Sequence, residues 1–128
     1  MNLLLDTHAF IWFIAGDTKL SNVAREHIED SNNVKILSIA SCWEMSIKSS
    51  LGRLKTGHPF DDFIAEQLDI NGFDLLDISL GHLNVLIKLP YHHKDPFDRL
   101  LIAQAYRDNL TLVTNDKKMK TYDIKTIW

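Results

Sequence analysis

The chain has 128 residues, 45% hydrophobic and 24% charged, with a net charge of −3 and a single cysteine. That length and composition give one domain, residues 1–128, with an ordinary core, and exclude a disordered chain; one cysteine excludes an intramolecular disulfide framework and fits a reducing compartment. The acidic balance does not favour a broadly basic nucleic-acid binder, but it leaves room for a local cationic face and for acids that meet phosphate through metal ions.

Asn2 to Leu5 is a short apolar strand that ends on Asp6. No basic leader precedes it, and no run approaches the roughly 20 apolar residues of a membrane span, so a soluble cytoplasmic protein with no membrane partner is expected. Ala9 to Ala15 predicts an apolar helix carrying Trp12 and Phe13, broken by Gly16-Asp17. Ser21 caps a more polar helix over 22–30, with Val23, Ala24, His27 and Ile28 as its inner stripe. After the turn Ser31-Asn32-Asn33, residues 34–37 form a second strand. A helix over 39–51 follows and stops at Gly52. It carries Cys42, read as a small buried apolar residue, together with Trp43, Glu44 and Lys48.

Gly57-His58-Pro59 leads into a helix over 59–68, closed off by Asn71-Gly72. Asp74 to Ile78 is a third strand. Ser79 caps a helix running to about Leu89, where Pro90 stops it. Tyr91-His92-His93-Lys94 reads as a polar surface loop, because a zinc site would need further His or Cys partners at recognisable spacing. Asp95-Pro96 opens the next helix with a capping residue and proline at the first helical position. Within it Asp98, Leu101, Ile102 and Ala105 share the inward face. Residues 110–114 form a strand ending in Thr114-Asn115-Asp116; a basic turn over 117–120 and a last short strand over 124–127 complete the chain. Short apolar strands separated by helices predict an α/β fold: a three-layer α/β/α sandwich around a mostly parallel five-stranded sheet.

Four acids fall at equivalent places in that scheme. Asp6 follows the first strand and Asp116 the fourth; Asp98 lies in the first turn of the helix before the fourth strand; Glu44 lies in the second turn after strand two. Each has a local reading: Asp6 and Asp116 as helix caps, Asp98 as the third residue of a capping box with Asp95, and Glu44 as the i,i+4 partner of Lys48. If strands one, two and four are neighbours, all four carboxylates meet above one sheet edge. Four clustered acids repel one another unless protonated or neutralised by cations. Mg²⁺ or Mn²⁺ suits such oxygen ligands, and metal-assisted phosphodiester cleavage is the chemistry they serve.

Four segments, in this order and spacing, carry a resemblance over nearly the whole chain: Leu5-Asp6-Thr7-His8 with Trp12; Ser41-Cys42-Trp43-Glu44 with Lys48, Gly52 and Leu54; Asp95-Pro96-Phe97-Asp98-Arg99-Leu100 with Ala103 and Gln104; and Thr114-Asn115-Asp116 with Tyr122. The sequence resembles the PIN-domain ribonucleases, most closely the VapC-like toxins of bacterial type II toxin–antitoxin pairs. That resemblance implies a PIN-like fold and an acidic quartet of Asp6, Glu44, Asp98 and Asp116 that binds Mg²⁺ or Mn²⁺ and activates the water that cleaves RNA. It also implies a homodimer and a VapB-like antitoxin whose C-terminal segment reaches the acidic site. Thr114 matches a polar position that supports the metal site. Met119 is a departure, since many relatives have Phe there.

Three groups lie around this quartet. Lys48, Arg53 and Lys55 follow Glu44, and Lys94 and Arg99 flank Asp98; they read either as solvated charges or as a rim that guides the RNA backbone, with Arg99 also a candidate for structural support. Trp12, Phe13 and Trp43 read as core or partner-interface packing, with base stacking as the alternative. Two other functions are compatible with an α/β chain of this size: a receiver-type signalling module, for which Asp77 is a weak phospho-acceptor, and a catalytically silent PIN-like binding scaffold, which would be expected to have lost acids.

Overall fold

The computed structural model describes all 128 residues. In chain order the elements are β1 (Asn2–Leu5), α1 (Thr7–Ala15), α2 (Asn22–Glu29), β2 (Val34–Ser38), α3 (Ile39–Ser50), α4 (Phe60–Asn71), β3 (Phe73–Leu76), α5 (Leu80–Lys88), α6 (Pro96–Asp108), β4 (Thr111–Val113), a 3-10 turn (Met119–Thr121) and β5 (Thr126–Ile127). Side-chain alternation along the central strand sets the layers. Leu3 and Leu5 pack on one face with Phe10 of α1, Ala24 and Ile28 of α2, Met45 of α3 and Ile64 of α4. Leu4 packs on the other with Leu101, Ile102 and Ala105 of α6, Leu112 of β4, and Met119 and Tyr122. Helices therefore cover both faces, in the three layers expected.

All four strand pairings are parallel, and the sheet order is β3-β2-β1-β4-β5. The sheet is thus wholly parallel. The order reverses at β1, so the crevice at the carboxyl ends of β1 and β4 is the switch point where open α/β sheets place their sites. The main chain joins these ends directly: Asp6 N–H donates to Val113 O at 3.0 Å. A receiver-type module needs the order 2-1-3-4-5, so the observed order removes that reading.

Several expected boundaries move. Helix α1 begins at Thr7, because Asp6 caps it by accepting from Ala9 N–H. Helix α4 runs to Asn71, where Gly72 at φ +68° ends it in the left-handed conformation. That brings β3 forward to Phe73–Leu76 and leaves Asp77 and Ile78 in the following loop. On α2 only Ala24 and Ile28 are buried, while Val23 is 49% exposed. No helix is long and apolar enough to cross a membrane.

Cys42 sits partly buried beneath α3, and burial pushes its thiol up to about 11. Only the thiolate attacks alkylating reagents. At pH 8 iodoacetamide should therefore modify native Cys42 about two orders of magnitude more slowly than a free cysteine; a rate matching free cysteine would show that the thiol is not shielded.

Candidate active site

Asp6, past the end of β1, is 7% exposed. Its Oδ1 accepts from Ala9 N–H at 2.7 Å and its Oδ2 from the Thr114 hydroxyl at 2.6 Å. Burial raises its pKa, and the hydrogen bonds from Thr114 and Ala9 offset this only in part. Thr114, fully buried after β4, also accepts from Asp116 N–H at 3.1 Å. One hydroxyl therefore fixes the carboxylate after β1 and the turn after β4 together.

Glu44 is held from α1. The Thr7 hydroxyl donates to its Oε1 at 2.7 Å and stands 3.1 Å from Ser41 Oγ. Lys48 Nζ lies 3.9 Å from Glu44 Oε2 and 3.4 Å from His8 Nε2. The i,i+4 pair is thus present, but it occupies only one side of a carboxylate that Thr7 also orients.

Asp98 is placed by the first turn of α6. Asp95 caps the helix by accepting from Asp98 N–H at 3.0 Å. The return half of a capping box is absent, because Asp95 N–H donates to His93 Nδ1 at 3.2 Å. The Asp98 carboxyl is therefore free to face the site. Burial first, and the nearby charges of Asp95, Glu44 and Asp6, push it up to about 7 against the opposing pull of His93. Asp116 moves the other way: burial would raise it, but hydrogen bonds from His93 and from the N–H groups of Lys118 and Met119 hold it below the usual carboxylate range.

The tightest group of ligand-type atoms is His93, Asp98 and Asp116, all within 4.8 Å of one another. Asp6 and Glu44 stand outside that group and act on Asp98 through space. His93 is the residue that the sequence reading missed. It is 9% exposed, not part of an open loop, and its Nε2 lies 2.9 Å from Asp98 Oδ2 and 3.0 Å from Asp116 Oδ2. The available signal was its place two residues before an Asp-Pro helix start, where a side chain can reach the capping N–H groups.

Arg99 does not join a cationic rim. It is 5% exposed, and its guanidinium donates to the carbonyls of Leu86, Leu89 and Pro90. It also stacks on Tyr91, 3.9 Å from the ring centroid. The cation thus closes the C-terminus of α5 and supports the loop that bears His93. Arg53, Lys55 and Lys94 are exposed, which leaves Lys48 as the cation beside the acids. Trp12 packs against Trp128 with centroids 5.9 Å apart. Trp43 is 57% exposed and meets Phe97 edge-on at 4.9 Å, so it is not a core residue.

The donors offered by the four acids are all oxygen, partly desolvated and mutually repelling. That combination fits a hard divalent cation. A cavity of about 580 Å³ lies elsewhere: Leu89, Pro90, His92, Tyr106, Tyr122 and Ile124 line it, and none of the four acids does.

Comparison with known proteins follows the same outline. A PIN domain family model matches residues 3–125. Ribonuclease VapC22 of Mycobacterium tuberculosis is 25% identical over 121 residues, which cover 94% of this chain and 91% of that protein. Among solved structures, VapBC2 from Rickettsia felis bound to a DNA fragment from its promoter has a chain that superposes with a TM-score of 0.75 at 19% identity, covering 100% of this chain and 99% of that one. VapBC-1 from nontypeable Haemophilus influenzae gives 0.69 at 17% identity, covering 99% and 97%. These structural likenesses speak for the fold.

Proposed function

The chain belongs to the PIN domain family, and from that premise we propose that it is a metal-dependent ribonuclease and the toxin of a type II toxin–antitoxin pair. The observation that carries this reading is Asp98, a carboxyl pushed up to about 7 by burial and by three neighbouring acids at the sheet's switch point. Crowding of this kind weakens a fold unless a cation compensates it. The curated ribonuclease relative and the VapBC neighbours support the same direction.

Asp6, Asp98, Glu44 and Asp116 would hold the ion, and their oxygens suit Mg²⁺ or Mn²⁺. When bound, such an ion supplies Lewis-acid polarisation of an RNA phosphodiester and of the attacking water. The protein's own groups do the positioning. Thr114 fixes Asp6 Oδ2 and the Asp116 turn, while Thr7 aims Glu44. Lys48, 3.9 Å from Glu44, offers a cation to the substrate phosphate. All four acids being present argues against a silent scaffold. RNA cleavage with Mg²⁺ or Mn²⁺, abolished by EDTA and by Asp6→Asn, is the expected result; cleavage undiminished in either case would sink the reading.

Two exposed apolar stripes support the partner expectations. Trp43, Ile47 and Leu51 are 57%, 40% and 60% exposed along α3 and its cap, and Leu80, Leu83 and Ile87 are 84%, 38% and 79% exposed along α5. A lone monomer does not usually show water two such faces. They suit a second copy of the chain and a cytoplasmic antitoxin. Sedimentation of the free chain should give twice 14.7 kDa; a monomer at micromolar concentration would remove the homodimer.

A further inference from the structure

We propose that His93 is a positioning residue of the acidic site: its Nε2–H is donated to Asp116 with Asp98 packed against the same nitrogen, and it is not itself a ligand to the ion. The inference rests on the metal-site reading above and goes beyond it in assigning a role to a side chain outside the acidic quartet.

The tautomer follows from both ends of the ring. At one end Nδ1 accepts from Asp95 N–H at 3.2 Å, so its lone pair is used and it carries no proton. In the neutral ring the proton is then on Nε2. At the other end Nε2 faces two carboxylate oxygens, Oδ2 of Asp98 at 2.9 Å and Oδ2 of Asp116 at 3.0 Å. The N–H is donated to Asp116, the acid held below the usual carboxylate range, and a bare lone pair there would repel that carboxylate. The two ends demand the same proton position, and that position removes Nε2 from metal ligation.

The ring is also held from behind. His93 N–H donates to Tyr122 Oη at 2.9 Å, and Tyr122 Oη–H donates to Pro90 O at 2.6 Å. Arg99 pins the same loop through Pro90 O at 2.9 Å. These bonds fix the backbone of the loop from which the imidazole projects. What the clamp achieves is specific. By taking Asp95 N–H, His93 displaces Asp98 from the return bond of a capping box. By donating to Asp116 Oδ2 with Asp98 Oδ2 against the same nitrogen, it sits between carboxylates that come from different elements and would otherwise repel.

The chain uses the same ring chemistry a second time. His82 Nδ1 accepts from Ser79 N–H at 3.0 Å, and its Nε2 lies 2.8 Å from Asp108 Oδ2. There the ring ties the start of α5 to the end of α6, and a single acid receives it. At His93 the N–H is donated to Asp116 while Asp98 stands 2.9 Å from the same nitrogen, and both acids belong to the proposed metal site.

Long-range ¹H–¹⁵N spectra of the wild-type imidazoles should show His93 protonated at Nε2 and bare at Nδ1, both in EDTA and with Mg²⁺ added. Calorimetry with Mn²⁺ should find His93→Gln, which keeps an N–H near the Nε2 position, within about threefold of wild type. His93→Ala should bind roughly 10–100-fold more weakly, the usual effect of losing an outer-sphere partner. A bare Nε2 in the metal-loaded spectrum, or a glutamine variant as weak as the alanine one, would overturn the clamp and make His93 a ligand. If alanine does not fold at this buried position, the wild-type spectrum and the glutamine variant decide the question. Wild-type protein that binds no Mn²⁺ and cuts no RNA would overturn the metal reading, and the clamp's part in it with that reading.

Discussion

Asp98→Asn should abolish RNA cleavage and, in EDTA, raise the melting temperature. The loss follows from removing one of the carboxylates proposed to hold the ion; transition-state charge stabilisation at such a centre is worth several kcal/mol, so a fall of at least ~100-fold is expected. The gain follows from the cost of the native carboxyl, which is desolvated and set among Asp95, Glu44 and Asp6. Its proton is held more tightly in the folded chain than in the unfolded one. The group's contribution to metal-free stability is therefore full at low pH and is lost as pH rises through about 7. Asparagine cannot ionise and does not lose it. The variant should thus melt several degrees higher than wild type at pH 8, since 1 kcal/mol is worth roughly 3–6 °C in a chain of this size, and the difference should close in mild acid. An active Asp98→Asn enzyme refutes the mechanism, and a variant that melts lower in EDTA at pH 8 refutes the electrostatic account.

The largest loss of stability is expected at Arg99. Its guanidinium serves the carbonyls of Leu86, Leu89 and Pro90 from a nearly buried position and covers the face of Tyr91. No carboxylate pairs with it; neutral oxygens and the C-terminal end of α5 hold the charge. Arg99→Ala leaves those carbonyls without their donor and should cost about 3 kcal/mol in urea unfolding. Arg99→Lys keeps the charge but not the planar fork, and should recover only part of that loss. A change within about 0.5 kcal/mol for alanine, the range of ordinary surface substitutions, would show that Arg99 is not the support described.

The acids were legible because local rules place them. A strand period of two and a helix period near four put Asp6 and Asp116 at strand ends and Asp98 on an inward face. The sheet order then met the condition left open by the sequence, that strands one, two and four be neighbours. His93 was not legible, and of Arg99 only its candidacy for structural support was, because their surroundings come from far along the chain. The loop reading of His93 could not know that Tyr122 and Asp116, 29 and 23 positions on, close over it. Arg99 looks like a rim cation beside Asp98, yet one step around α6 turns it towards the end of α5. For Trp43 the pattern left core and partner interface open, and its 57% exposure in the single chain removes the core half. Stripes of that kind have the same pattern whether their partner is the same chain or another.

The hydrogen bond from Thr114 to Asp6 spans 108 positions of sequence. The acidic site is therefore shaped by residues far apart in sequence, and it forms only when the ends of β1 and β4 are side by side. A growing chain that has passed Asp6 and Glu44 still lacks Asp98, the Thr114 brace and the β4 strand that pairs beside β1. Assembly of the acidic site is thereby tied to the pairing of β4 beside β1.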